Sequence, residues 1–129
     1  MTVLLDTHCW LWWLTEPLRM KEAAVEILKN PDTTVCLSSV SSWEIAIKYS
    51  LQKLILPEPP EVFIPSRMER DGFVSLPIQH SHAIRTAALP YHHKDPFDRL
   101  LIAQAMVEGI PIVTADPNFE SYDVELIAC

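Results

Sequence analysis

Glycine is almost absent from this chain, with only Gly72 and Gly109 among its 129 residues. The phosphate-binding loop of P-loop NTPases and the G-x-G-x-x-G turn of dinucleotide-binding proteins both need several glycines placed close together. Two isolated glycines cannot form either turn. The sequence therefore excludes these two kinds of nucleotide chemistry.

Cysteine and long apolar runs are also scarce. The 3 cysteines cannot all pair within one chain, and Cys9 and Cys36 lie in apolar segments, where buried, reduced thiols are expected. The longest apolar run near the N-terminus is Cys9–Leu14, and no basic segment precedes it. We therefore expect neither a secretory signal nor a membrane span, and we predict a soluble, cytoplasmic protein.

Positive charge is in short supply, because 10 Lys and Arg residues stand against 17 Asp and Glu residues and leave a net charge of −7. Such a surface does not attract nucleic acid over long distances. The charge disfavours a passive nucleic-acid-binding protein, but it is compatible with an enzyme that binds divalent metal ions. Hydrophobic residues make up 49% of the chain, so residues 1–129 can form one domain with its own core.

The pattern of apolar segments predicts that strands alternate with helices. Short, continuously apolar segments predict strands at Thr2–Leu5, Thr34–Leu37, Phe73–Leu76, Ile110–Thr114 and Val124–Ile127. Helical spacing and helix-ending residues predict helices at His8–Leu14, Leu18–Asn30, Ser38 to about Leu51, a segment ending at Asp71-Gly72, Ser81–Ala88 and Pro96–Glu108. This alternation is typical of an α/β fold with three layers, α/β/α, around a mostly parallel central sheet.

Four carboxylates lie near the ends of predicted strands or the beginnings of predicted helices. Asp6 follows the first strand, and Asp116 follows the fourth strand. Glu44 lies near the beginning of the helix after the second strand, and Asp98 lies in the first turn of the last predicted helix. Because ligands of α/β sheets bind beyond the carboxyl ends of the strands, we expect these four acids to converge at one edge.

Each acid also has a purely structural explanation. Asp95, which precedes a proline, is typical of a helix N-cap, and Asp98 would interact favourably with the positive end of the same helix. Asp6 could cap the helix that follows it, Asp116 could open a turn, and Glu44 could be a solvated helix residue. A cluster of all four would be unfavourable without a bound cation, because like charges raise one another's pKa.

The donor types indicate which metal such a cluster would bind. Carboxylate oxygens without cysteine or a suitable histidine pair favour Mg²⁺ or Mn²⁺ over zinc. The competing zinc site would use the five histidines, but their spacing does not match usual structural zinc sites and no paired cysteines accompany them. Those histidines are His8, His80, His82, His92 and His93.

Four segments of the sequence resemble the PIN-domain family, specifically the VapC-like toxins of prokaryotic toxin–antitoxin pairs. They occur in the family order and span nearly the whole chain, and the third segment is long and specific. One departure is Gln52, where the family pattern predicts glycine. The matching segments are Leu4–His8, Ser41–Lys48, Asp95–Ala105 and Val113–Asp116.

The resemblance implies an RNA endonuclease that uses Mg²⁺ or Mn²⁺, with metal-binding and catalytic acids at Asp6, Glu44, Asp98 and Asp116. It also implies a homodimer that a cognate antitoxin inhibits. Arg99 and Lys48 are the candidate RNA-contacting residues, because phosphates need local positive charge; each could instead be an ordinary surface charge or an ion-pair partner. The alternative function is a non-catalytic interaction module on the same fold.

Overall fold

One parallel sheet of five short strands organises the protein. The computed structural model describes residues 1–129, and its strand order is β3-β2-β1-β4-β5 with every pair parallel. The prediction of a mostly parallel sheet is therefore confirmed. The strands are β1 (Thr2–Leu5), β2 (Thr34–Ser38), β3 (Val74–Leu76), β4 (Ile112–Thr114) and β5 (Leu126–Ala128).

Six helices connect these strands and cover the sheet. Two buried clusters lie on its opposite faces: Val3 and Leu5 of β1 belong to the cluster that includes Trp10, whereas Leu4 belongs to the cluster that includes Leu101. Successive side chains of a strand point to opposite faces, so this division confirms the predicted three layers. The helices are α1 (Thr7–Thr15), α2 (Glu22–Lys29), α3 (Ser39–Ser50), α4 (Pro60–Asp71), α5 (His80–Arg85) and α6 (Pro96–Glu108).

Local chemistry explains where the helices begin and end. The Ser38 hydroxyl accepts a 3.0 Å hydrogen bond from the Val40 amide and caps α3. Gly72 and Gly109 adopt left-handed conformations, with φ of 68° and 67°, directly after α4 and α6. Gln52 has a φ of 58°, which explains why glycine is favoured at that position of the turn.

Some predicted boundaries were wrong. The helix predicted over Leu18–Asn30 begins only at Glu22; a 3-10 turn occupies Pro17–Arg19, and Leu18 is fully exposed. The strand predicted from Ile110 begins at Ile112, after a proline that lacks the N–H a strand pairing needs.

Two further segments are shifted from the sequence-based prediction. The helix predicted over Ser81–Ala88 is α5 followed by a 3-10 turn at Thr86–Ala88, and the last strand lies at Leu126–Ala128 rather than Val124–Ile127. Cys9 and Cys36 are free and buried, as predicted, and Cys129 is also free and buried. None of the helices has the length and apolar character needed to span a membrane.

The sheet grows outward from its centre in two opposite directions along the chain. The strands β1, β2 and β3 follow one another on one side, and β4 and β5 follow on the other. The neighbouring carboxyl ends of β1 and β4 therefore form a topological switch point, where open α/β sheets bind their ligands. Asp6 and Asp116 follow these two strand ends.

Candidate active site

Thr114, the last residue of β4, connects the two acids at the switch point. Its hydroxyl donates a 2.7 Å hydrogen bond to Asp6 Oδ2 and accepts a 3.0 Å bond from the Asp116 amide. Asp6 is only 3% exposed, so its carboxylate is held in one orientation. Asp116 Oδ1 accepts a 2.9 Å bond from the Asn118 amide and so caps the following 3-10 turn, Pro117–Ser121.

Glu44 reaches the same region from α3. The hydroxyls of Thr7 and Ser41 are 2.7 Å apart and are hydrogen-bonded, so the beginning of α1 is joined to the first turn of α3. Glu44 lies three residues beyond Ser41 on this helix and is 5% exposed. Lys48 Nζ donates a 2.7 Å hydrogen bond to Glu44 Oε2 from one helical turn further along.

Asp98 lies in the first turn of α6, and Asp95 is the N-cap of that helix. Asp95 Oδ1 accepts hydrogen bonds from the amides of Phe97 at 2.9 Å and Asp98 at 3.2 Å. The structural explanation for Asp95 is therefore confirmed. The Asp98 carboxylate does not take part in this cap; its Oδ2 atom lies 3.4 Å from His93 Nε2.

The four-acid site, formed by Asp6, Glu44, Asp98 and Asp116, is electrostatically strained. Burial raises the pKa of Asp6 from 3.8 to about 6, and the Thr114 hydrogen bond opposes this only in part. Burial, together with the negative charges of Asp95 and the other three acids of the site, raises the pKa of Asp98 to about 8. The four predicted acids therefore share one electrostatic environment.

The donor set fits a hard divalent cation. All four side chains offer carboxylate oxygens, the ligands that Mg²⁺ and Mn²⁺ prefer, and a cation would relieve the repulsion that raises the pKa of Asp98. As the side chains lie, no three acidic, histidine or cysteine residues are grouped closely enough to hold one metal ion. A cavity of about 250 Å³ borders Asp6 and Asp116, with His8 and Trp12 on its wall.

Arg99, which the sequence suggested as an RNA-contacting residue, has a structural role in this fold. Its guanidinium group is buried and donates hydrogen bonds to Tyr122 Oη and to the carbonyl oxygens of Thr86, Leu89 and Pro90. These bonds commit the group to anchoring the loop before α6, so the structure gives no support to an RNA contact by Arg99, which stays a prediction. Lys48, which is half-exposed beside Glu44, remains in a suitable position.

Sequence reasoning missed the residues that hold the acids in place. Thr114, two residues before Asp116, has a hydroxyl whose role depends on pairing with β1, and no local pattern indicates that pairing. His93 was considered only as a zinc ligand, and Tyr122 was not considered.

Among the tryptophans, Trp10 is buried in the core, whereas Trp43 is 53% exposed beside a groove of about 400 Å³.

A profile of the PIN domain family matches residues 3–125 of this chain. The chain is 32% identical over 122 residues to Ribonuclease VapC22 of Mycobacterium tuberculosis (strain ATCC 25618 / H37Rv), covering 94% of this chain and 92% of that protein. It is also 40% identical over 62 residues to Ribonuclease VapC16 of the same organism, covering 48% of this chain and 44% of that protein.

Solved structures share the same fold. VapBC2 from Rickettsia felis, bound to a DNA fragment from its promoter, aligns with a TM-score of 0.75 and 16% identity, covering 98% of both chains. DNA-bound VapBC from Salmonella typhimurium aligns with a TM-score of 0.73 and 18% identity, covering 98% of this chain and 97% of the other. At these identities, the likeness establishes the architecture alone.

Proposed function

This chain belongs to the PIN-domain family, and on that basis we propose that it is a metal-dependent endoribonuclease, the toxin of a toxin–antitoxin pair. The observation that carries the proposal is the convergence of Asp6 and Asp116 at the switch point with Asp98 and Glu44 close enough to interact electrostatically. The full-length similarity to a protein named as a ribonuclease supports RNA as the substrate.

The residues that would hold Mg²⁺ or Mn²⁺ are Asp6, Glu44, Asp98 and Asp116. Bound there, the cation supplies Lewis-acid activation of water and stabilisation of charge on the attacked phosphate. Hydrolysis by water does not need the ribose 2′-hydroxyl as nucleophile, so we expect products with a 5′-phosphate and a 3′-hydroxyl.

The chain's own residues orient the acids and receive the substrate. The Thr114 hydroxyl holds Asp6, and the hydrogen bond between Thr7 and Ser41 positions the turn of α3 that carries Glu44. Lys48 neutralises part of the Glu44 charge and lies where it could bind a phosphate oxygen. This local positive charge is needed because the net charge of the chain is −7.

The test is cleavage of a mixed cellular RNA pool by the purified chain, free of any partner, with Mg²⁺ or Mn²⁺ and with EDTA. We expect discrete cuts that disappear with EDTA and with Asp6→Asn. Asp32→Asn is the matched control, because it makes the same change at an exposed loop residue that forms hydrogen bonds only through its backbone atoms. Cleavage by a folded Asp6→Asn protein would contradict the proposed site.

An absence of cuts by a folded protein that binds Mn²⁺ would favour a narrowly specific RNA substrate, which a wider panel of structured RNAs would identify. An absence of both cuts and metal binding would favour the alternative, a non-catalytic interaction module. The readouts of metal binding and cleavage therefore separate the two functions.

We also propose a cognate antitoxin and a homodimer as partners. Solved relatives of the same fold include VapBC complexes, and the chain exposes large apolar side chains, among them Trp43 and Tyr91 at the 400 Å³ groove. Light scattering of the purified chain, alone and coexpressed with the protein encoded beside it, tests both. A monomer that copurifies with no neighbour would contradict this assignment.

A further inference from the structure

Tyr122 Oη is the centre of a buried hydrogen-bond network next to Asp98. It lies 3.3 Å from the His93 amide nitrogen, 3.2 Å from Arg99 Nη1 and 2.8 Å from His93 Nδ1. The Arg99 group that reaches it also binds three backbone carbonyls, so the guanidinium group that donates to Tyr122 is itself fixed in position.

Counting protons in this network determines the tautomer of His93. A backbone amide and a guanidinium group can only donate, so these two partners occupy both lone pairs of the Tyr122 oxygen. The tyrosine proton is then left for His93 Nδ1, which must accept it. A neutral His93 ring therefore carries its own proton on Nε2.

The Nε2 atom of His93 faces Asp98. It lies 3.4 Å from Asp98 Oδ2, is shielded from solvent and has no hydrogen-bond partner with acceptable geometry. Two aromatic rings pack against the His93 ring: Tyr122 edge-on with ring centroids 5.4 Å apart, and Phe119 in a tilted arrangement at 6.5 Å. A buried N–H without a partner is unfavourable, and a small rotation of the Asp98 carboxylate would satisfy it.

We propose that His93 is a positioning residue for Asp98: its Nε2–H, fixed by Tyr122 and Arg99, donates to Asp98 Oδ2. This inference rests on the proposed function, in which Asp98 is a metal ligand. Occupying one oxygen with a hydrogen bond leaves the other free for a cation and restricts the rotation of the carboxylate. Hydrogen bonds to metal-binding carboxylates commonly raise metal affinity by about 10–100-fold.

The network also explains why Arg99 follows Asp98 directly. The two residues lie side by side in the first turn of α6, and Arg99 holds the loop and the tyrosine that present His93 to Asp98. A purely structural role for His93 would change the free energy of unfolding but not the metal affinity of the folded protein. The two roles are therefore distinguishable.

The test measures the Mn²⁺ affinity of the folded full chain by electron paramagnetic resonance at one fixed pH. His93→Phe keeps an aromatic ring but removes the donor, and we expect about 10–100-fold weaker binding. His93→Gln places an amide donor near the position of Nε2 and should restore most of the affinity. His92→Phe is the matched control, since His92 is exposed, forms no hydrogen bond to Asp98, and packs edge-on against Tyr122 at 5.0 Å through a ring that phenylalanine retains.

Two further readouts keep the inference testable if His93→Phe does not fold. Tyr122→Phe removes only the hydroxyl that fixes the tautomer and should weaken Mn²⁺ binding severalfold. Imidazole ¹⁵N chemical shifts of the wild-type protein should identify the Nε2–H tautomer of His93. A ring protonated on Nδ1, or unchanged affinity in a folded His93→Phe protein, would overturn the role of His93 alone, whereas a wild-type protein that binds no Mn²⁺ would overturn the metal-dependent function itself.

Discussion

Asp6 and Thr114 are 108 residues apart in sequence, yet the threonine hydroxyl donates a 2.7 Å hydrogen bond to the aspartate carboxylate. The pairing of β1 with β4 creates this contact. Leu5 is in register with Val113, so the next residues along the chain, Asp6 and Thr114, also lie side by side. The Asp6 amide also donates a 3.0 Å bond to the Val113 carbonyl. The same hydroxyl accepts a hydrogen bond from the Asp116 amide, so one side chain orients two acids of the four-acid site.

Replacing Thr114 with valine should destabilise the protein and impair the site. Valine has a similar shape but no hydroxyl, so Asp6 Oδ2 and the Asp116 amide would both lose a partner. We expect a decrease of about 1–3 kcal/mol in the free energy of unfolding, measured with urea. Thr114→Ser retains the hydroxyl and should lose much less; equal stability of the valine and wild-type proteins would refute the role of this hydrogen bond.

The stability of the metal-free protein should decrease as pH rises. Burial raises the pKa of Asp6 to about 6 and that of Asp98 to about 8, so the folded protein retains protons that the unfolded chain releases above its ordinary carboxyl pKa. The stabilisation is complete below about pH 4 and is lost as pH passes through those two values. Urea unfolding in EDTA should give a free energy of unfolding that is lower at pH 8 than at pH 5 by on the order of 5 kcal/mol, because each pKa unit corresponds to about 1.4 kcal/mol.

The variant Asp6→Asn supplies the control for this pH dependence, because asparagine does not titrate. The free energy of unfolding of the variant should vary less with pH than that of the wild-type protein. The difference in favour of the variant should be greatest at pH 8. If both proteins showed the same pH profile, other groups would be responsible, and burial would not raise the pKa of Asp6 as described.

Asp95 should matter for stability and much less for cleavage. Its carboxylate caps α6 through the amides of Phe97 and Asp98, so Asp95→Ala should reduce the free energy of unfolding by about 0.5–2 kcal/mol. Asp95→Asn keeps a capping oxygen and should preserve both stability and RNA cleavage. A folded Asp95→Asn protein without activity would instead place Asp95 in the catalytic site.

Arg99 should be intolerant even of lysine. Its planar guanidinium group binds four oxygens at once, which a lysine ammonium group cannot reproduce. We expect Arg99→Lys to decrease the free energy of unfolding by about 2–4 kcal/mol, because buried carbonyls and Tyr122 lose donors. Arg85→Lys is the matched control, since Arg85 is exposed on α5, and a similar loss in both variants would argue against the network.

Much of the fold could be predicted from short segments because local chemistry determined them. α6 occupies Pro96–Glu108 as predicted, since an N-cap, a first-turn proline and a terminal glycine specify its ends. The prediction of a helix over Leu18–Asn30 was wrong because the local pattern did not determine the structure there. Its apolar spacing indicated one helix, but Leu18 lies in solvent and α2 begins at Glu22.

Residue types and their order determined which side chains could act: four carboxylates at strand ends and helix beginnings, in the order of a known family. The roles of Arg99, His93, Thr114 and Tyr122 were decided only by tertiary structure. An arginine beside an acid has the same local sequence whether it faces RNA or binds buried carbonyls. Strand pairing and the packing of a loop against α6 bring distant segments together, and those contacts select the partner of each side chain.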